Sequence, residues 1–246
     1  MIQFKNFPKH RPVLSEKYKQ LHKFYYELNR KGNSPATRAS QKMEQWMHKK
    51  VAQDAITAPF NHKSELRTLE IGAGTLNHLP FEQTINGYDI VEPFHDLYKN
   101  SPLLNQINTI YKDINEINHN TPYDRIISIA TFEHICDLPD LVQKLSWLMS
   151  PQGILQVAVP SEGTLLWKLG WMVTTGIELK IRTGLNYSVL NQYEHVNTAA
   201  EIETILHCFF KNIHCSVLGV CKALSFYQYF KCTDPVFPST PSVDPL

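Results

Sequence analysis

The sequence predicts an α/β fold: a mostly parallel sheet with helices on both faces, an antiparallel hairpin at its C-terminal end and a helical cap in front. Three observations predict it. From Leu66 onward, short apolar runs alternate with amphipathic segments, the texture of strands threaded by helices. Near the C terminus, two β-rich runs stand so close together that only a tight turn fits between them. Residues 1–63 carry helical periodicity and no strand pattern.

In the cap, Tyr18, Leu21, Tyr25 and Leu28 recur at helical spacing from about Ser15 to Lys31, and Gly32 to Pro35 break the pattern. Met43, Trp46, Met47 and Val51 form the stripe of a second helix, near Thr37 to Ile56, and the two helices are expected to pack on or arch over the domain that follows. Strands are predicted at 67–71, 87–91, 109–111, 125–130 and 154–160. The segment Leu138 to Met149 is amphipathic, and Pro151-Gln152-Gly153 marks its stop. Thr198 and Glu201 form a capping box for a helix reaching about Phe209. The hairpin runs are 214–220 and 223–230. The domain boundaries expected are therefore a cap at 1–63, a cofactor-binding domain at 64–232 and a proline-rich, disordered tail at 233–246.

The segment Leu69-Glu70-Ile71-Gly72-Ala73-Gly74-Thr75 carries the chemistry. Glycines at 72 and 74 let the chain turn sharply after a strand and come close to a ligand, because a Cβ would block both. A helix N-terminus expected near Thr75 to Asn77 would offer its free N–H groups to a carboxylate. The dinucleotide fingerprint is broken in two ways: Asn77 stands where its third glycine would fall, and Glu70 adds an acid unsuited to a pyrophosphate. An acid there favours a cationic ligand such as S-adenosylmethionine (SAM), which has an ammonium and a sulfonium. Glu92 ends the second strand, where a carboxylate can accept from both ribose hydroxyls, with Asp89 as the competitor. Asp113 follows the third strand and can accept from an adenine amino group while the Ile114 N–H serves a ring nitrogen; the other reading of Asp113 is an exposed loop acid.

LEIGAG, YDIVEP, YKDI and YDRIISIATFEHI, in this order and spacing, resemble the class I SAM-dependent methyltransferases, especially the small-molecule, type 11-like group. The resemblance covers about residues 66–160 and implies a Rossmann-like fold, with SAM as cofactor. It implies that Glu70, Gly72 and Gly74 hold the methionine end, beside the cofactor-binding Thr75 of the expected helix start, Glu92 the ribose, and Asp113 with Ile114 the adenine. It also places Thr131 to His134, including Glu133, beside the cofactor. Many members have a third glycine in this turn; here that place is Leu76, which costs backbone freedom.

His195, in Tyr193-Glu194-His195-Val196-Asn197, is the candidate general base, with a helix-capping histidine as the alternative. His134 is a second candidate at the site, read mainly as a cofactor-pocket neighbour, and His78 is placed on the first helix. Residues 161–193 are too long for a plain connection and read as a substrate lid. Its apolar stretch, Leu165 to Val173, is expected to cover the site, with contact to a lipid surface as the second reading. Lys180 and Arg182 are candidate partners for an anionic group on the acceptor.

Composition excludes several classes. No apolar run reaches the roughly 18 residues of a membrane span, and the N terminus lacks a secretory h-region, so a cytoplasmic protein is expected. Five cysteines without CxxC spacing predict neither disulfides nor a zinc cage, and no metal site is expected. Residues 1–63 hold 13 Lys/Arg against 4 Asp/Glu. That asymmetry suggests RNA as an alternative acceptor, but no RNA-binding module accompanies it and no DNA partner is expected. The function expected is methyl transfer to a small-molecule or carrier-linked acceptor such as a sugar or glycan. A non-catalytic methyltransferase-like partner protein is the alternative from another class.

Overall fold

Strand alternation sorts the side chains of the first strand onto two faces, and this sets the rest of the domain. In β1 (Thr68–Ile71), Leu69 and Ile71 enter one core, while Glu70 points to the opposite face, beside Tyr88. The computed structural model describes residues 4–22, 35–57, 66–83, 87–118, 121–172, 179–180 and 183–236. Around β1 lie β2 (Tyr88–Val91), β3 (Thr109–Tyr111), β4 (Tyr123–Ile129) and β5 (Met149–Pro160), followed by β6 (Phe210–Cys221) and β7 (Leu224–Pro235). The sheet order is β3-β2-β1-β4-β5-β7-β6. β1 to β5 run parallel, and β7 inserts antiparallel between β5 and β6. The order reverses at β1, so a crevice opens at the C-terminal ends of β1 and β4, where such sheets bind ligands.

One face is covered by α4 (Leu138–Leu148) and α7 (Ala199–Phe209). Leu141, Val142, Leu145, Ile202 and Leu206 pack there on Ile126, Leu155, Val157 and Phe230. The predicted capping box of α7 forms, with Thr198 and Glu201 bonded reciprocally. The other face is covered by α2 (Pro35–Thr57), whose Met47 and Val51 pack on Leu76, Leu79, Ile90 and Ile127. The cap thus divides. Residues 16–22 form α1, and Leu14 and Leu21 pack with Leu179 and Leu190 of the expected lid; the remainder of that helix, to Lys31, lies outside the described residues. The stretch read as a lid contains α5 (Leu165–Trp171) and most of α6 (Tyr187–Glu194).

Four expectations are corrected. No α-helix follows the glycine turn: residues 74–78 are turns that lead into a 3-10 turn at Leu79–Phe81. Pro80 explains this, because it lacks the N–H that an α-helix begun at Thr75 would need from its second turn, whereas it fits the start of a short 3-10 turn. The links after β2 and β3 likewise hold only the single helical turn α3 (His95–Tyr98) and 3-10 turns, so among the described residues only β4 to β5 is a full helical crossover. Pro151-Gln152-Gly153 lie inside β5, not beyond a helix end, and the β4–β5 register shifts beside them. The hairpin is longer than predicted, and β7 runs through Pro235, into the segment read as tail; residues 237–246 lie outside the described residues.

Candidate active site

The turn after β1 is held by its neighbours on both sides. Gly72 (φ +74) donates its N–H to Val91 O at 2.9 Å, and a Cβ there would meet Thr131 Oγ1 at 2.3 Å. Among the described residues, nothing beyond its own chain neighbours lies within 4 Å of the place a Cβ on Gly74 (φ +53) would take, so a ligand can approach the backbone there. The third glycine of the pattern is replaced, but its conformation is kept: Leu76 has φ +63. The strain of a left-handed leucine, of order 1–2 kcal/mol, is offset by burying its side chain among Met47, Leu79 and Tyr88.

Glu92 closes the turn. Its Oε2 accepts from Gly74 N at 2.8 Å and its Oε1 from Phe94 N at 2.9 Å. Each oxygen keeps a second lone pair for a ligand hydroxyl. Asp89, its competitor, is instead absorbed into a structural set with Tyr123, Asn108 and Arg67. Asp113 is exposed and caps the turn at Ile114–Glu116 through Asn115 N. Thr75 is exposed and Ile114 half-buried. Glu70 is brought to the α2 face: Tyr88 OH donates to its Oε2 at 2.8 Å, and burial, opposed by His78 and Tyr88, holds its carboxyl above the ordinary range.

At the end of β4, Ala130 (φ +50) turns the chain so that Glu133 and His134 follow Thr131 across the crevice. Val196 N and Asn197 N donate to Glu133 O at 2.8 and 3.1 Å, stitching the loop that carries His195 against them. The His134 and His195 rings have centroids 4.9 Å apart. Glu133 is 1% exposed, its Oε2 has no hydrogen-bond partner among the described residues, and burial pushes its carboxyl up.

The acid that orients His195 is Glu162, just beyond β5, a residue the sequence reading missed. Its Oε1 is bonded to His195 Nδ1 and accepts from Trp167 Nε1 at 2.5 Å, while its Oε2 accepts from Asn191 Nδ2 at 3.4 Å. Glu194, the sequence neighbour, turns away to His22 at 3.0 Å. Burial alone would lower the imidazole of His195, but Glu162, with Glu133 and Glu194, outweighs it and holds the ring above its ordinary value. Glu162 lies 33 positions from His195 within the stretch read as lid, and the only signal for it was its place directly after a strand.

His78 does not line a helix. It is buried with His48 and Glu82 in a network closed by Arg125 and Gln156. Trp167 faces the site, whereas Leu165, Leu169 and Met172 are 62%, 47% and 43% exposed. Lys180 is exposed, and Arg182 lies outside the described residues. Residues 4–11 strap across this end: Arg11 Nη2 donates to His134 O at 3.1 Å and Lys9 Nζ to Val196 O at 2.8 Å. Between strap and loop is a cleft of about 500 Å³ lined by Asn6, Lys9, His10, Gln192, His195 and Val196. No helix among the described residues is long and apolar enough to cross a membrane.

A methyltransferase-domain family model matches residues 43–217, well over half of the chain, from within α2 through the crevice to the first strand of the hairpin. No curated protein matches. Among solved structures, the CurJ carbon methyltransferase is similar at TM-score 0.55 and 15% identity, over 88% of this chain and 58% of its own. The chain thus spans little more than half of that relative. The plantazolicin methyltransferase BpumL, in complex with a monoazolic desmethylPZN analogue and SAH, is similar at TM-score 0.57 and 14% identity, over 89% of this chain and 98% of its own. A SAM-dependent methyltransferase of Thermotoga maritima is similar at TM-score 0.50 and 14% identity, over 80% of this chain and 97% of its own. The sheet order, the glycine turn closed by Glu92 and the family match together place the chain in the methyltransferase-domain family, with the Rossmann-like fold of class I SAM-dependent methyltransferases.

Proposed function

We propose that the protein transfers a methyl group from SAM to a hydroxyl of a small-molecule or carrier-linked acceptor, sugars and glycans being the hydroxyl-rich class. The observation that carries the reading is the Gly72–Gly74 turn at the switch point of the sheet, open beside Gly74 and closed by the carboxylate of Glu92. These residues fit the cofactor. Gly72, Gly74 and Thr75 would hold its methionine end and Glu92 its ribose; Asp113 and Ile114 would hold the adenine, with Thr131 and Glu133 beside it. Glu70, buried and bonded to Tyr88, ties β1 to β2 under the turn, so its part is positioning.

SAM, when bound, supplies an electrophilic methyl group on a sulfonium. The chain positions the reactants and keeps water out, which is most of what an in-line displacement needs. In this reading His195 Nδ1–H donates to Glu162, so that Nε2 presents a lone pair that can take the acceptor's hydroxyl proton. His134 packs against that ring, and Trp167, bonded to Glu162, fixes the lid side. The exposed row on α5 supports a further refinement, that the acceptor or its carrier has an apolar part.

The test is acceptor-dependent release of S-adenosylhomocysteine across a panel of sugars, glycosides and phenols. His195→Ala is expected to lower kcat about 100-fold with the KM for SAM little changed. Equal turnover by wild type and variant would remove the base from this reading, and no turnover of any hydroxyl acceptor would remove the acceptor class.

A further inference from the structure

Two imidazoles at this end of the sheet are held in the same way. His134 Nδ1 is 2.8 Å from the carbonyl oxygen of Glu194, which can only accept, so that nitrogen carries the proton. His195 Nδ1 is held by Glu162. In the neutral rings both Nε2 atoms are therefore left as the lone-pair nitrogens. His134 Nε2 lies 3.7 Å from Glu133 Oε1, and one nitrogen of each ring and one oxygen of Glu133 lie within 4.8 Å of one another. Glu133 is buried, and its Oε2 has no hydrogen-bond partner among the described residues, the kind of polar atom that a bound group would satisfy.

We propose that Glu133, His134 and His195 form a binding site for a divalent first-row transition cation. The chemistry of the donors supports it. Two neutral imidazoles and one carboxylate suit zinc, manganese, iron(II) or cobalt, and three protein ligands leave positions open for oxygen donors. Metal-binding histidines are characteristically fixed by a carbonyl or carboxylate at the other ring nitrogen, as both are here. Ligand bonds of about 2.0–2.2 Å require donors roughly 3–3.5 Å apart, so a modest contraction of the three side chains closes the site. The surroundings agree: the Glu162 carboxylate lies behind His195 and fixes its ring.

The site stands on geometry, and only its use rests on the methyltransferase reading. A bound cation would occupy the Nε2 lone pair that otherwise takes a proton, and its open positions would receive the acceptor's oxygen. Proton abstraction by His195 and cation binding are thus alternatives at one atom.

The experiment uses the full chain, stripped with chelator and free of SAM, titrated with Co²⁺ by visible absorption and with Zn²⁺ by calorimetry. The expected result is one cation per chain with cobalt d–d bands of a low-coordinate nitrogen/oxygen site. Affinity should fall at least tenfold in His195→Ala and in the near-isosteric Glu133→Gln. Circular dichroism of each metal-free variant establishes that it is folded. Absent cobalt bands, or affinities unchanged in folded variants, would overturn the site. Titration of the same metal-free sample with S-adenosylhomocysteine separates the two ideas. Cofactor binding without cation binding overturns the site alone, and cation binding without cofactor binding overturns the methyltransferase reading alone.

Discussion

Two buried polar clusters, one under α2 and one beyond the end of β4, differ in how far their members answer one another. Under α2, Arg125 meets Glu82 with two bonds of 2.8 and 2.9 Å, Glu82 accepts from His78, and Gln156 joins Arg125 to Tyr229. Burial would raise the Glu82 carboxyl, but His78 and Arg125 bring it down to about 2. Its carboxylate and its cation are both answered. Beyond β4 the cluster of Glu133, His134, His195 and Glu162 is as buried at its centre, yet among the described residues one oxygen of Glu133 has no hydrogen-bond partner, and fixing both rings at Nδ1 leaves Nε2 as the lone-pair nitrogen of each neutral ring. A satisfied buried network makes a sheet unique and rigid, and an unsatisfied one marks where something else is meant to bind.

Substitutions should split along this line. Arg125→Met leaves the Glu82 carboxylate buried without its main partner and is expected to cost about 3–5 kcal/mol in urea unfolding. A loss under 1 kcal/mol would mean the network is not the keystone described. Leu76→Ala removes the buried side chain that sustains the left-handed backbone and should cost about 2–4 kcal/mol.

The sealed cluster also predicts a pH response. Burial and the neighbouring His78 lower His48 to about 4. Its folded pKa lies below the unfolded value, so the neutral ring's contribution is complete above about 6.5 and is lost as pH falls toward about 4. Thermal unfolding between these limits should show it, and His48→Phe, stacked likewise on Phe81, should flatten the curve.

The open cluster predicts the smallest change and the opposite sign. Glu133→Gln replaces a buried carboxylate, one oxygen of which has no hydrogen-bond partner among the described residues, and should leave stability unchanged or raise it by about 1 kcal/mol while turnover falls. A variant destabilised by 2 kcal/mol or more would make Glu133 structural.

Much of this frame could be read from the chain. The strands, the α7 capping box, the glycine turn and Glu92 were legible because each is encoded locally, by alternation, by an i,i+3 pair, or by a glycine or an acid at a strand end. The missing helix after the turn was legible too, in Pro80, but a helix was expected there by fold class. Glu162 was not legible. It meets His195 only because β5 and the loop before α7 converge, and no local pattern records a pairing across 33 residues. Glu70 reads as a ligand acid by position, but alternation along β1 turns its side chain to Tyr88. What a sequence hides here is which face of a strand an acid takes.

The central claim is that the glycine turn with Glu92 is a SAM site, and calorimetry with S-adenosylhomocysteine tests it most directly. The wild-type chain is expected to bind one equivalent at micromolar affinity, about −8 kcal/mol, and Glu92→Ala to bind at least tenfold more weakly with its fold intact by circular dichroism. No heat from the folded wild type, or equal affinity in the folded variant, would contradict the account.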